Sequence, residues 1–385
     1  MTLTLDTHLH PAAGLLQTRR RCLAGDPSLQ PALSAWLERA RLAAEAPLVS
    51  VTDKPTLPPS GERHDYVSRG TYWWPNPDTD DGLPYVRRDG EKNPEIQQFD
   101  VDRLRGMWKA IWTLASAALF SDDMAWADQA VRRLRHWFVD AETKMNPHLT
   151  YAQQIPGICD GRGIGIVDTI FMSDVVDAVA VLRSLGQLPD EVDAAMVDWF
   201  ARYLDWLVLS EHGRAERRWF NNHSVQYDKQ VASLALAVGR RDVAELVLDA
   251  VPARRYLRQI EPDGSMPEEL SRTLSLTYST INLRNFMDLA DLAAPLGLDL
   301  WHHETDDGRS LVKAVRWWVD HGAIDGSWQG QQIAPHKPAA SADVLRRAAL
   351  HLDPAYESLL ATLPGVDVAA SSVRLFQPLP EGSDA

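Results

Sequence analysis

The chain is dominated by apolar residues three and four positions apart, a spacing typical of amphipathic helices, whereas strand-like alternation is scarce. Segments with the helical spacing run for 11 to 21 residues between short polar links. The pattern predicts ten helices, at Pro31–Glu45, Val101–Phe120, Met124–Phe138, Ile166–Leu185, Glu191–Ser210, Ser224–Val238, Val243–Leu257, Leu276–Leu296, Ser310–Asp320 and Ala342–Leu352.

The links between these helices are short and contain turn or capping residues, as in "SDDM", "QLPD" and "GRRD". Short links favour antiparallel helical hairpins, and hairpins in series form either a solenoid or a closed (α/α) toroid. Because no fixed repeat is visible, we expect an all-α, incomplete (α/α) toroid in one domain over residues 1–385. Its predicted parts are an N-terminal helical segment (1–54), a lid or arm (55–95), the main helical toroid (96–365) and a tail (366–385).

The lid segment, residues 55–95, breaks the helical pattern. It is rich in Pro, Gly and Asp but also contains five Tyr and Trp residues, which argue against disorder. Aromatic faces stack on the C–H faces of sugar rings, so together with Arg69, Arg87 and Arg88 this segment would suit an acidic carbohydrate. The same aromatic residues could instead anchor the loop to the core.

Composition narrows the classes of protein to consider. The chain has 385 residues, of which 45% are hydrophobic, enough for a large core. The formal net charge of −14 argues against nucleic acid, which selects a basic face. Two cysteines, Cys22 and Cys159, do not form a disulfide framework or a metal motif. No signal-peptide h-region or membrane-length apolar window is visible, so we expect a cytoplasmic protein with no membrane partner.

The stretch "RWFNNHSVQYDKQ" places two amides and an imidazole at a predicted helix start, although one Asn suffices as an N-cap. If Asn221 or Asn222 caps the helix, His223 lies in its first turn. Gln226, Tyr227 and Gln230 follow at spacings that share one face. This polar stripe could be a solvent-facing surface or part of a functional site.

A second polar cluster occupies "EPDGSMPEELSRTLSLTYSTINL". Arg272 and Tyr278 are six positions apart, which on one continuous helix would separate them by about 240°. Their side chains can therefore converge only if the backbone breaks between them. Alternatively, Arg272 forms an ion pair with Glu268 or Glu269, and Tyr278 lies in the core.

Four motifs in order resemble the alginate lyase domain family, with the closest similarity to polysaccharide lyase family 38 and a more distant one to family 5. The similarity runs from about Asp65 to about Trp301, through "HDYVSRGTYWWPNP", "MNPHLTYAQQIPGICDGRGIGIVDT", "WFNNHSVQYDKQVASLAL" and "DGSMPEELSRTLSLTYSTINL". The resemblance implies an incomplete (α/α) toroid with a groove or tunnel. It also implies β-elimination on an anionic polysaccharide or oligosaccharide, with no cofactor and no required metal.

In β-elimination the C5 proton leaves and the glycosidic oxygen at C4 is expelled, giving a 4,5-unsaturated uronate. Donors that bind the uronate carboxylate stabilise the charge of the enolate-like transition state. By similarity, Asn222 with His223 takes this role and Arg272 supports it. Tyr278 is then the base and the acid, with Arg272 expected to lower its pKa from about 10. His223 is the candidate base for anti elimination of guluronate.

The remaining family positions are expected to contact substrate. They are Asn221, Tyr72, Trp73, Arg69 and Gln153, with Tyr227 as a substitute for an aromatic residue that related lyases have after the NNH motif. We discount "GRGIG" around Arg162 as a phosphate loop, since it lacks the Lys and the preceding strand.

Two alternatives stay open: a glycoside hydrolase using Asp263 with Glu268 or Glu269, and a noncatalytic uronate-binding protein. The identity of the sugar, the endo or exo mode and the oligomeric state do not follow from the sequence.

Overall fold

Most of the protein is helical in the computed structural model, which describes residues 3–380. The helices are α1 (Ala12–Leu23), α2 (Gln30–Glu45), α3 (Val101–Ser121), α4 (Met124–Leu134), α5 (Met172–Ser184), α6 (Asp190–Leu209), α7 (Glu211–Arg217), α8 (Asn222–Ala237), α9 (Arg241–Asp249), α10 (Leu257–Gln259), α11 (Pro267–Leu270), α12 (Ser275–Ala293), α13 (Leu311–Asp320), α14 (Pro338–His351), α15 (Tyr356–Ala361) and α16 (Val373–Phe376).

An inner layer of five helices is covered by an outer layer. The inner helices α3, α5, α8, α12 and α14 contact one another in that order. Helices α2 and α4 pack on α3, α6 and α9 on α8, α13 on α12, and α15 on α14. The short helix α16 contacts α14, α1 and α2, so the last helix of the described residues lies against the first two. This two-layer ring of hairpins agrees with the predicted (α/α) toroid.

Burial follows the same division into layers. Inner helices α8 and α12 are almost entirely buried, although each carries many polar side chains, whereas α4 and α9 bury a single stripe. One apolar cluster surrounds α3, α5 and α6, and a second surrounds α12, α13 and α14; α8 contributes to both. Helix α8 is therefore held rigidly on several sides, and its first turn is a well-fixed position for polar side chains.

Three predicted helices are shorter than expected. The segment Gly163–Thr169 is a 3₁₀-helix, and α5 begins only at Met172. A Cβ at Gly165 would overlap Ala152, so this turn packs closely enough against Ala152 to require glycine. After Asp249 the chain forms the π-helix Pro252–Tyr256, because proline lacks the N–H that an α-helix needs in its interior. The second half of the helix predicted at Met124–Phe138 also becomes a π-helix, Arg135–Val139.

The lid segment contains short strands that the sequence pattern did not predict. Strand β1 (Val67–Arg69) pairs in parallel with β4 (Tyr151–Gln154), and β2 (Trp73–Trp74) pairs antiparallel with β3 (Val86–Arg87). Residues 94–98 form a 3₁₀-helix that leads into α3. The strands hold the segment in an ordered arm.

Residues 1–2 and 381–385, the last of which belong to the predicted tail, lie outside the described residues. Within residues 3–380, no helix is long and apolar enough to cross a membrane. In the same range, no three His, Cys, Asp or Glu side chains are grouped as a metal site would require.

Candidate functional site

The start of α8 uses its two asparagines for different purposes. Asn221 is the N-cap, and its Oδ1 accepts a hydrogen bond from the backbone N–H of His223 at 3.2 Å. Asn222 is the first helical residue, so its side chain is not needed as a cap. Only one of the three polar residues is thus explained by the helix start itself.

Asn222 is bound by a buried carboxylate, Glu269. The Asn222 side-chain Nδ2 lies 3.1 and 2.9 Å from the two Glu269 oxygens, and the Asn222 backbone N–H donates to the same carboxylate at 2.7 Å. Burial raises the pKa of Glu269 to about 7, although the hydrogen bonds from Asn222 oppose the shift. Sequence reasoning missed this contact, since nothing in the sequence marks two residues 47 positions apart as partners.

His223 is held by a second buried carboxylate, Glu216 of α7. The imidazole Nδ1 lies 2.8 Å from Glu216 Oε1. A carboxylate oxygen that is ionised only accepts hydrogen bonds, so this contact favours the tautomer with the proton on Nδ1, which leaves a lone pair on Nε2 of a neutral ring. This is the tautomer that a general base requires. Glu216 was also missed, because it lies in α7, a short helix that the sequence pattern did not predict.

Arg272 and Tyr278 converge because the backbone breaks between them, as the helical geometry required. Helix α11 ends at Leu270 and α12 begins at Ser275, with a turn between them. The Arg272 Cζ lies 3.8 Å from the centroid of the Tyr278 ring. This is a close cation–π contact, in which the guanidinium covers the aromatic face.

The ion-pair partner of Arg272 is neither Glu268 nor Glu269. Its Nη2 and Nε donate to the two oxygens of Asp89 in the lid segment, at 2.8 and 3.2 Å. Asp89 also accepts from the Thr273 hydroxyl at 2.9 Å. The lid segment is therefore clamped onto the turn between α11 and α12.

The expected decrease in the pKa of Tyr278 is wrong for this structure. Burial raises the pKa of Tyr278 well above its usual value of 10, and the neighbouring Tyr72 adds to the increase. Arg272 lowers the pKa, as predicted, but its effect is smaller than that of burial, and Asp89 beside it acts in the opposite direction. Tyr278 is thus protonated at neutral pH, in the form that donates a proton.

Tyr72 and Trp73 of the lid segment, both predicted to contact substrate, make different contacts near Tyr278. The hydroxyls of Tyr72 and Tyr278 share a hydrogen bond at 2.7 Å. The guanidinium of Arg162 lies over the Trp73 ring, with its Cζ 5.7 Å from the ring centroid. Arg162 also donates to Gln153 Oε1 at 2.8 Å, so the "GRGIG" turn supplies a cation next to the lid.

The other two predicted contact residues do not join this cluster. The Arg69 guanidinium packs against Phe99 and Tyr85 and lines a cavity of about 540 Å³ beside the turn of residues 154–160. Tyr227 is buried in the core, where its hydroxyl donates to the backbone carbonyl of Leu207. Because α8 turns Tyr227 toward α6, it cannot replace the missing aromatic contact, and that expectation is wrong.

The carboxylates proposed for a hydrolase do not form a pair. Glu269 is buried against Asn222, whereas Asp263 and Glu268 are exposed. Asp263 accepts a hydrogen bond from the backbone N–H of Ser265 within its own turn. Glycoside hydrolysis requires an acid carboxyl group and a second carboxylate that face the same groove. Asp263, Glu268 and Glu269 do not form such a pair.

Comparisons with known proteins give one consistent answer. The sequence model of the alginate lyase family matches residues 50–328. The crystal structure of an alginate lyase from Bacteroides ovatus is 36% identical, with a TM-score of 0.93 over 98% of this chain and all of that one. None of the curated proteins compared with the chain matches it.

More distant structures share the fold. Alginate lyase A1-III from Sphingomonas species A1 is 15% identical, with a TM-score of 0.61, and a variant of A1-III complexed with a tetrasaccharide is 16% identical, with a TM-score of 0.63. Both alignments cover 98% of each chain. The (α/α) toroid is therefore confirmed, and the protein is a polysaccharide lyase that belongs to the alginate lyase family.

Proposed function

We propose that this lyase cleaves 4-linked polyuronates, either alginate rich in mannuronate or glucuronan, by metal-independent β-elimination that leaves 4,5-unsaturated uronate ends. Within the family we place it in polysaccharide lyase family 38. The tetrasaccharide complexes of A1-III variants support a carbohydrate chain as the ligand. The observation that carries the proposal is the convergence of Arg272, Tyr278 and Tyr72, with Arg272 3.8 Å from the Tyr278 ring and the two hydroxyls 2.7 Å apart.

The carboxylate of the uronate that loses its proton binds, in this proposal, to Asn222, His223 and Arg272. A proton beside an ionised carboxylate is a poor acid, so donors to this carboxylate lower the barrier by stabilising the enolate-like transition state. His223 is such a donor only when Nε2 is also protonated, and Asn222 only when one amide N–H turns from Glu269 to the substrate. The N-terminus of α8 adds its partial positive charge. Asn221 caps this helix. Neighbouring sugar units of the polysaccharide contact Tyr72, Trp73, Arg69 and Gln153.

The two proton transfers are assigned by protonation state. Tyr278 is held protonated, which suits the acid that protonates the leaving glycosidic oxygen. In guluronate the C5 proton and the leaving oxygen lie on opposite faces, and His223, with Nε2 unprotonated, is the base. In mannuronate and glucuronate both lie on one face, so Tyr278 serves both steps. For the first step Tyr278 must be a tyrosinate, its own proton having passed to solvent before the substrate displaces water; the tyrosinate takes the C5 proton and then returns that proton to the glycosidic oxygen.

The test is the ultraviolet absorbance of the new double bond, followed with polymannuronate, polyguluronate and glucuronan separately, before and after dialysis against a chelator. A rise with at least one polymer establishes β-elimination and identifies the sugar. Loss of activity on dialysis that added metal restores would contradict the metal-independent mechanism.

The His223→Ala variant in the same assay separates the two proposed roles of His223. If His223 is the base only for anti elimination, polyguluronate cleavage should fall by a factor of about 10² to 10⁴, more than cleavage of the other polymers. An equal loss on all active substrates would instead assign His223 to carboxylate binding.

A further inference from the structure

An exposed aromatic pair lies immediately before the NNH motif. Trp219 and Phe220 occupy the link between α7 and α8. Their rings are stacked, with centroids 5.1 Å apart and an angle of 20° between the planes. Phe220 is 53% exposed, and Trp219 is partly exposed.

Folding does not account for this pair. Neither ring belongs to the two apolar clusters that form the core of the described residues. An apolar ring left in water gains none of the free energy that burial would supply. Two large aromatic residues side by side on the surface are the kind of apolar patch that usually marks a binding site.

The pair is held at a fixed distance from His223. The Trp219 ring centroid lies 6.5 Å from that of His223, with the rings tilted by 55°. The Trp219 backbone N–H donates to the backbone carbonyl of Glu216, the residue whose carboxylate holds the imidazole. One short segment therefore positions both the base and the aromatic faces.

We propose that Trp219 and Phe220 form a stacking platform for the pyranose ring that adjoins the scissile linkage. The proposal rests on the function proposed above, because it assigns one contact of the same polyuronate. One face of a uronate ring presents C–H bonds, which pack on the electron-rich face of an aromatic ring, while the carboxylate at its edge reaches cationic and amide donors. The platform also supplies the aromatic contact that the buried Tyr227 cannot provide.

The expected effect is on binding rather than on proton transfer. Loss of a stacking contact worth about 1 to 2 kcal/mol raises KM roughly five- to thirtyfold and leaves kcat largely intact. We expect this result for Phe220→Ala and Trp219→Ala, and a smaller effect for Trp219→Phe, which keeps an aromatic face. A fall in kcat at unchanged KM for all three variants would show that the pair only supports His223, and would overturn the proposal.

Two matched controls are available elsewhere on the surface. Trp317 of α13 stacks on His321, the residue just after this helix, with ring centroids 3.8 Å apart. The pair repeats the sequence spacing of Trp219 and His223. Leu246 on α9 is 67% exposed, comparable with Phe220. Trp317→Ala and Leu246→Ala should leave KM unchanged, and thermal unfolding of every variant checks that the fold is retained.

Direct binding separates failure of the platform from failure of the proposed function. Calorimetric titration of Tyr278→Phe, alone and combined with Phe220→Ala, with saturated mannuronate, guluronate and glucuronate tetrasaccharides should show weaker binding only in the combined variant. Active wild-type enzyme with equal affinities in the two variants would overturn the platform but not the lyase mechanism. Inactive wild-type enzyme with weaker binding in the combined variant would support the platform and overturn the proposed polyuronate chemistry.

Discussion

The hydroxyl of Tyr278 is the group on which the proposed chemistry depends most directly. The Tyr278→Phe substitution removes this hydroxyl and keeps the ring under Arg272. We expect turnover to fall by a factor of about 10² to 10⁴, the usual contribution of a general acid or base, while oligosaccharide affinity changes little. Initial rates of ultraviolet absorbance and calorimetric affinity measure the two effects.

A suitable control is Tyr356→Phe, which removes a hydroxyl from a half-buried tyrosine of α15. It should leave both quantities unchanged. Wild-type turnover in Tyr278→Phe would contradict the assignment of Tyr278 as the acid.

Glu269 should make the free energy of unfolding depend on pH between its unfolded pKa of 4.5 and its folded pKa of about 7. Its pKa is raised by burial from 4.5 to about 7, so the folded state binds this proton more tightly than the unfolded state. The stabilising effect is complete below pH 4.5 and is lost as pH rises through 7, a change of about 3 kcal/mol. The Glu269→Gln variant cannot titrate at this position.

Denaturant unfolding of both proteins between pH 4 and 8 provides the measurement. The free energy of unfolding of the wild type, relative to that of Glu269→Gln, should decrease across this range. Glu268→Gln, the same substitution at the exposed neighbouring position, is the control. A flat difference for Glu269→Gln would mean that Asn222 compensates fully for the burial of the carboxylate.

At the level of the elements, Asp89 joins the lid segment to the turn between α11 and α12. Burial acts to raise the pKa of Asp89, but Arg272 and Thr273 together hold it well below its usual value. A carboxylate with a lowered pKa stabilises the folded protein above pH 4, and this contribution is lost as pH falls. The clamp between lid and toroid is therefore intact at neutral pH.

Asp89→Asn should release the lid segment without unfolding the toroid. We expect faster amide hydrogen exchange over residues 86–93 and a higher KM, because the variant retains a hydrogen-bond acceptor but loses the charge that pairs with Arg272. Glu91→Gln changes an exposed carboxylate of the same loop and serves as the control. Unchanged exchange in Asp89→Asn would show that the strand pair β2–β3 is sufficient to hold the lid.

The sequence predicted the long helices well and the contacts between them poorly. Helices α3, α6, α8 and α12 were located to within two or three residues because each carries a continuous apolar pattern. The break between Arg272 and Tyr278 was also foreseeable, since helix geometry forbids their contact without it. By contrast, Asp89 lies 183 residues from Arg272, and no local pattern encodes such a pair.

For the whole molecule, buried charges link the inner helices around the ring. Asp288 of α12 accepts from Lys229 of α8 at 3.0 Å and from Arg347 of α14 at 2.7 Å. Arg347 also donates to Asp291 at 2.6 Å. The side chains of Lys229 and Arg347 are only 8% and 3% exposed, so each depends on its acidic partner to remain charged inside the protein.

Removing the central carboxylate should therefore destabilise the ring rather than the active site alone. Asp288→Asn removes the carboxylate partner of the buried Lys229 and one of the two carboxylates that accept from Arg347, and we expect the free energy of unfolding to fall by about 3 kcal/mol. Glu245→Gln, which breaks the exposed pair with Arg241, should change it by less than about 0.5 kcal/mol. Denaturant unfolding at pH 7 measures both values.

The pH dependence identifies the cause of this loss. Burial acts to raise the pKa of Asp288, but Lys229, Arg347 and Arg284 hold it below its usual value, so its contribution is present above pH 4 and disappears as pH falls. The difference between wild type and Asp288→Asn should consequently shrink in acid. A difference that stays constant down to pH 3 would point to altered packing between α8, α12 and α14 instead of a lost charge.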